Sequence, residues 1–112
     1  MAEYIATHAI EQDTFGIPVS FTDDEGVAVI PNAGATWKLT DVSGNVINSR
    51  SAEDITEAAS VTIVLSGDDL AIGNNGKERI LFVSATYNSN LGSNLSLKRE
   101  VHFYIDPLVN VS

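Results

Sequence analysis

The chain has 112 residues, no cysteine and a formal net charge of −9, and 44% of its residues are hydrophobic. This size and apolar content fit one globular domain, which we place at residues 1–112. The missing cysteines exclude disulfides, thiolate nucleophiles and cysteine-ligated metals. The acidic net charge disfavours nucleic-acid binding, and no apolar run reaches the ~20 residues of a membrane span. We therefore expect neither a nucleic-acid nor a membrane partner.

Apolar residues alternate with polar ones along most of the chain, and this period predicts half-buried β-strands. In residues 15–21 the apolar side chains share one parity and so point to one face of a strand. Residues 23–26 then have the composition of a turn. A short apolar piece follows at residues 27–30 and is stopped by Pro31.

The next strand is predicted around the single tryptophan. Residues 35–41 alternate so that Trp37 and Leu39 face inward. Residues 43–45 read Ser-Gly-Asn and predict a tight hairpin turn, because glycine and asparagine tolerate positive φ. The chain returns through residues 46–48, and Trp37 is expected at the centre of the core.

Residues 51–59 are the only stretch with helical character, and we interpret them as a connection with at most one helical turn. Residues 61–65 form another alternating strand, and residues 66–69 break it. Leu70 is expected beneath the core.

Two long strands are predicted at residues 77–87 and 95–106, separated by a turn rich in Gly, Asn and Ser. Pro107 ends the second of them, because proline cannot donate to a strand ladder. The expected core residues are Phe21, Trp37, Leu39, Ile63, Leu65, Val83, Ala85, Phe103 and Ile105.

The order of these elements is typical of one architecture. About seven strands occur at the spacing of a β-sandwich, with the tryptophan on the third main strand. We therefore predict an all-β fold, an immunoglobulin-like Greek-key β-sandwich.

No group of residues in the sequence predicts catalysis, so we expect neither an enzyme nor a cofactor. His8 and His102 lie at ordinary strand positions and are expected at the surface. The acidic clusters at residues 23–25 and 68–69 fit turn chemistry, and calcium binding by these loop carboxylates is the alternative. Tyr4 and Tyr104 have the parity of outward-facing residues and are candidates for a contact patch or a sugar-stacking platform.

Four groups of strings stand out: Phe21-Thr22-Asp23 with Gly26 and Pro31, residues 37–41 with Gly44 and residues 46–48, residues 64–70, and residues 86–89 with Gly92 and residues 103–105. Together they resemble a family of small structural proteins of tailed bacteriophages and prophages. The resemblance covers residues 15–109 and is collective rather than due to one motif. It implies a virion or head–tail region component with an immunoglobulin-like fold, and it transfers no functional residue.

The leading hypothesis is a decoration, neck or tail accessory protein that contacts other virion proteins or copies of itself. The N-terminus lacks the pattern of a signal peptide, so we expect assembly into virions in the host cytoplasm. The alternative is a module that binds glycans or a host surface, with or without calcium. The N-terminal strand and the apolar tail are the expected contact segments, although docking of the tail on its own domain is equally compatible. The candidate interface residues are Tyr4, Tyr104, Leu108, Val109 and Val111.

Overall fold

The computed structural model describes residues 2–32, 34–73 and 76–108, with side chains from residue 5 onward. The described residues are mostly β-strand, which confirms the all-β prediction, and none of their helices has the length and apolar composition to cross a bilayer. One 3₁₀ helix, Gly67–Leu70, follows the sixth strand. The strands are β1 (Ala2–Tyr4), β2 (Ala9–Ile10), β3 (Thr14–Ser20), β4 (Thr36–Thr40), β5 (Glu53–Asp54), β6 (Ser60–Ser66), β7 (Glu78–Ser89) and β8 (Gly92–Asp106).

The larger sheet has the strand order β1-β8-β7-β4-β5, and β2 also pairs with β8. Strands β1 and β2 run parallel to β8, whereas the other pairs are antiparallel. The centre of the sheet is the long hairpin of β7 and β8, in which Leu81 lies opposite Val101. On its other side β7 pairs with β4, so that Val83 lies opposite Trp37. The sheet is therefore mixed.

The smaller sheet contains only β3 and β6, which pair in antiparallel fashion along their full length. Ile17 lies opposite Ile63, and Phe15 lies opposite Leu65. Because side chains alternate across a strand, these odd-numbered residues face the larger sheet and the even-numbered ones face solvent. The core lies between the two sheets.

Every residue expected in the core is buried, and none of them is more than 8% exposed. The parity of each strand predicts this, since one face of each sheet must be removed from water. Leu70 is fully buried beneath the core. By contrast, Val27 and Ile30 of the short apolar piece are 58% and 62% exposed.

Residues 51–59, expected to be a connection with at most one helical turn, contain no helix and include the short strand β5. The described residues form eight strands, several of them only two or three residues long, where about seven were expected. The predicted hairpin turn is present at residues 43–45. Gly44 has a φ of +89°, and the Asp41 carboxylate accepts hydrogen bonds from the Ser43 and Asn45 N–H groups.

Arg79 occupies an inward-facing position of β7 and is fully buried. Its guanidinium donates to the carbonyls of Ala71 (2.8 Å), Ile72 (3.3 Å), Gly76 (2.7 Å) and Glu78 (3.0 Å). Burial lowers the pKa of Arg79, although the nearby Asp41 carboxylate opposes that effect. The arginine thus fixes the connection that leads into β7.

Candidate interaction surface

Hydrogen bonding within the smaller sheet determines which backbone groups face outward. Just beyond β3 the Phe21 N–H donates to the Ala59 carbonyl (2.9 Å), and just beyond β6 the Gly67 N–H donates to the Asp13 carbonyl (3.1 Å). In an antiparallel pair, the bonded residues alternate with residues whose N–H and C=O groups point away. The odd-numbered residues of β3 and β6 therefore bond each other, and the even-numbered residues direct their backbone groups to the two outer edges.

The outer edge of β6 is a long edge without proline or charged side chains. Its seven residues read Ser-Val-Thr-Ile-Val-Leu-Ser, and no strand in the described part of the chain pairs with it. Thr62 and Val64 direct their N–H and C=O groups outward, and Val64 is 57% exposed. Such an edge offers donors and acceptors to which another strand can bond.

A groove of about 480 Å³ runs beside this edge, between β6 and the segment that contains β5. Trp37, Ile55 and Ile63 are its buried apolar lining, and Asp54 is its charged residue. The Arg50 guanidinium lies over the indole, with its central carbon 5.5 Å from the ring centroid. Trp37 is therefore a core residue at the base of the groove and does not lie open to a ligand.

The other strand edges among the described residues differ from that of β6. On β3, Pro18 lies at an even position, where the missing N–H would have faced outward. The groove beside β3 has a volume of about 510 Å³ and is lined by Phe15, Val101 and Arg99, among others. Strand β5 consists of only two residues, both acidic, and β1 and β2 have only three and two residues. These edges are poor acceptors for another strand.

The Asp69 carboxylate is fully buried and holds the end of β6. It accepts hydrogen bonds from Arg50 Nε (2.8 Å), Arg50 Nη2 (3.1 Å), Asn48 Nδ2 (2.9 Å) and the Ser66 N–H (3.1 Å). Burial raises the pKa of Asp69, but these donors outweigh it and hold the pKa below its ordinary value. Hydrogen bonding to Asp69 likewise raises the pKa of Arg50, which also pairs with Glu53 at 2.8 Å.

The backbone just before Arg50 is strained. Asn48 and Ser49 have φ values of +52° and +58°, in the left-handed region that residues with a Cβ atom seldom adopt. The bonds that Asn48 and Arg50 make to Asp69 compensate for this cost. This conformation keeps the guanidinium of Arg50 over Trp37.

Both histidines pair with carboxylates. His102 Nδ1 lies 2.9 Å from Glu78, and its Nε2 lies 3.0 Å from Glu100. His102 has the outward parity expected of it, opposite to the buried Val101 and Phe103, but its side chain is only 12% exposed between the two glutamates. Burial lowers the pKa of His102, but the two glutamates outweigh it and raise the pKa overall. His8 lies between β1 and β2, is largely exposed and pairs with Asp106 at 2.9 Å.

The acidic clusters are engaged in the fold. The Asp23 carboxylate accepts from the N–H groups of Glu25 and Val27, both at 2.9 Å, which is a turn interaction. Asp24 accepts from the Tyr87 hydroxyl at 3.4 Å. Within the described ranges, no group of three or more acidic or histidine side chains has an arrangement that could hold a metal ion. The calcium alternative therefore gains no support from the structure.

The candidate interface residues are only partly described. Tyr104 and Leu108 are 39% and 45% exposed. Tyr4 lies in β1, where side chains are not described, and Val109 and Val111 lie outside the described residues. Strand β1 pairs with β8 of its own chain, and the Leu108 N–H donates to the Glu11 carboxylate at 3.1 Å. The expected contact segments thus bond, at least in part, to their own domain.

A second exposed feature lies on the outer face of the larger sheet. The ammonium groups of Lys38 and Lys98 lie 5.6 and 5.9 Å from the centre of the Phe82 ring. Glu100 and the exposed Val42 line the same shallow groove. Because both signs of charge meet here, this face does not select one kind of partner.

The alternation of residues 61–65 predicts the strand β6, but it indicates neither the open edge of that strand nor the Arg50–Asp69 pair. Which strand lies at an edge depends on pairing between distant segments, and Arg50 and Asp69 are separated by 19 positions. A usable signal was the absence of proline and charge from residues 60–66.

Comparisons of the chain with protein-family models, curated proteins and solved structures find no match.

Proposed function

We propose that this chain is a non-enzymatic structural protein of a tailed-phage particle, a decoration, neck or tail accessory component that works by binding other proteins. The observation that carries the binding role is the outer edge of β6, which is long, uncharged and free of proline. The phage assignment rests on the collective resemblance of residues 15–109. Partners are other virion proteins or further copies of the chain.

The finer fold proposal is an immunoglobulin-like sandwich. Its support is the separation of β3 and β6 from a sheet in which β8, β7 and β4 are neighbours. In immunoglobulin domains the second and fifth strands share one sheet and the third, sixth and seventh share the other. The fourth strand of a constant-type domain would lie beside the fifth, at the position that corresponds to the outer edge of β6.

Strand addition is the binding mode that this edge favours. A partner strand would bond to the outward N–H and C=O groups of Thr62 and Val64. The core-side residues of that strand would lie at the mouth of the groove, which Ile55 and Val61 line. Main-chain bonds supply affinity in this mode, and the groove selects the side chains.

Site-specific cross-linking tests the proposal. A photoreactive amino acid at Val64 should join the chain to a protein of purified particles of the encoding phage, with the product identified by mass spectrometry. The same group at Ser43, which is exposed at the hairpin turn between β4 and β5, is the matched control. Absence of the chain from the particles would contradict the phage assignment, and equal cross-linking at both positions would contradict the role of β6. Binding on a glycan array would favour the glycan-binding alternative.

A further inference from the structure

We infer that the strand which pairs with β6 is β6 of a second copy, placed antiparallel about a two-fold axis through Ile63. This inference rests on the proposed strand addition at β6 and names its partner. About Ile63 the sequence of β6 reads alike in both directions at the Ser60/Ser66 and Val61/Leu65 positions, and Thr62 and Val64 share a β-branched shape. With Ile63 opposite its own copy, Ser60 meets Ser66, Val61 meets Leu65 and Thr62 meets Val64.

The alternation of inward and outward backbone groups along β6 fits this register. The outward backbone groups belong to the even-numbered residues, so Thr62 and Val64 of the two copies form bonded pairs. About four hydrogen bonds then cross the axis, two in each pair. Ile63 faces its copy in a non-bonded pair, with the Cα atoms about 4.5 Å apart. A shift of one residue would pair outward with inward side chains, so the parity of β6 excludes one-residue slips. Among the registers that keep parity, the one centred on Ile63 pairs the most residues of β6.

The side chains that face each other across the axis in this register are chemically compatible. The odd-numbered residues face the core side, so Val61, Ile63 and Leu65 would meet only apolar residues of the copy. On the outer face the exposed Val64 would lie beside Thr62 of the copy, which covers part of its 57% exposed surface. The Ser66 N–H already bonds to Asp69 at 3.1 Å, so pairing is confined to the centre of the strand.

The charge distribution favours β6 as the contact between two copies. Each copy has a net charge of −9, so most of their surfaces repel each other. The seven residues of β6 have no charged side chain, and Asp54 is the charged residue in the lining of the adjacent groove. Added salt screens the remaining repulsion between the copies. The pairing should therefore tighten as the salt concentration rises.

The first measurement is the mass of the intact chain in solution. Sedimentation or light scattering should give twice the chain mass of 11.9 kDa at high protein concentration, with a dissociation constant that falls as salt is added. Val64→Pro removes an outward N–H in each copy and should weaken association at least tenfold. Val64→Thr keeps the N–H and the β-branched shape and should associate like the parent. Circular dichroism melts verify that both variants fold.

A second measurement needs no variant. In a sample that mixes isotope-labelled and unlabelled chains, an intermolecular NOE should join the two Ile63 Hα protons. A dimer that lacks this NOE, or that Val64→Pro leaves intact, would overturn the inference. A monomer at every concentration would also overturn it. If that monomer still cross-links to another particle protein through Val64, the proposed function survives; if it does not, both fail.

Discussion

Strands β3 and β6 form one two-stranded sheet, yet their outer edges differ in chemistry. Both strands are seven residues long and bury alternate side chains in the same core. On β3, Pro18 removes a donor from the outer edge, whereas β6 keeps every outward N–H between Ser60 and Val64. Proline on an edge strand is a known device against unwanted pairing. The difference indicates that one edge is protected and the other is open to a partner strand.

The two edges also differ in what lies beside them. The groove along β3 includes Pro18 and the charged Arg99, whereas the groove along β6 includes the indole of Trp37. Asp69 additionally holds the end of β6 through the Ser66 N–H. An edge with an ordered end and a firm apolar base loses little entropy when it accepts another strand. Substitutions at these positions test the comparison.

The largest effect is expected at the base of the β6 groove. Trp37→Ala should lower the free energy of unfolding by about 3–5 kcal/mol, because it removes a buried ring and leaves a cavity. Urea unfolding followed by circular dichroism measures this loss. Trp37→Phe, which keeps an aromatic ring, should cost clearly less. A Trp37→Ala variant as stable as the parent would show that the indole is not core, and the groove would then need another explanation.

The next effect concerns the end of β6. Asp69→Ala should cost about 2 kcal/mol, less than for a fully buried ion pair because the Arg50 side chain is 33% exposed. Asp68→Ala, at the exposed neighbouring position, should stay within about 0.5 kcal/mol of the parent. The lowered pKa makes the stabilisation by Asp69 present above about pH 3.9, the unfolded value, and lost as pH falls through the native pKa. Equal losses for Asp68→Ala and Asp69→Ala in urea titrations at neutral pH would contradict this assignment.

A smaller change in stability, but a visible change in size, is expected on β3. Pro18→Val restores the outward N–H and should open that edge to pairing, so that species larger than a dimer appear in light scattering. The free energy of unfolding should change by no more than about 1 kcal/mol. Pro107→Val removes an exposed proline beyond the end of β8 and serves as the control. If Pro18→Val leaves the size distribution unchanged, proline is not what protects β3.

The smallest effect is expected away from both edges, at His102. Its raised pKa means that the stabilisation by Glu78 and Glu100 is present below about pH 6.5, the unfolded value, and is lost as pH rises through the native pKa. The parent should therefore lose more stability than His102→Gln between pH 6 and pH 8, by less than about 1 kcal/mol. Thermal melts across that range measure the difference, with His8→Gln as the matched histidine substitution. Association through β6 should be the same in all three proteins.

The strands and the core were predictable because they depend on local alternation. The parity of β3 and of β6 assigns Phe21, Ile63 and Leu65 to the interior without knowledge of their neighbours. The same reasoning does not explain a polar residue at an inward-facing position. Arg79 has the parity of the buried Leu81, but its side chain donates hydrogen bonds to backbone carbonyls. The alternation of polar and apolar residues does not predict hydrogen bonds between a side chain and backbone carbonyls of other segments.

The interaction surface was less predictable for a related reason. Strand length and composition are properties of a segment, whereas an open edge is a property of the whole topology. The N-terminal strand was expected to contact a partner, but β1 pairs with residues 100–102 of its own chain. His102 faces outward as its parity predicts, but its low exposure depends on Glu78 of the neighbouring strand. Each of these outcomes requires strand register, which sequence alternation alone does not provide.

Arg79 gives a way to trace distant ancestry. Its fork reaches carbonyls on several sides at once, whereas a lysine concentrates its donors on one atom and an apolar residue would leave those carbonyls unsatisfied. Leucine, isoleucine and valine exchange readily in a core, so resemblance there erodes first as lineages diverge. We expect an arginine two positions before a buried leucine, at the start of the penultimate strand, to remain conserved in distant homologues of this chain after the other core residues have changed.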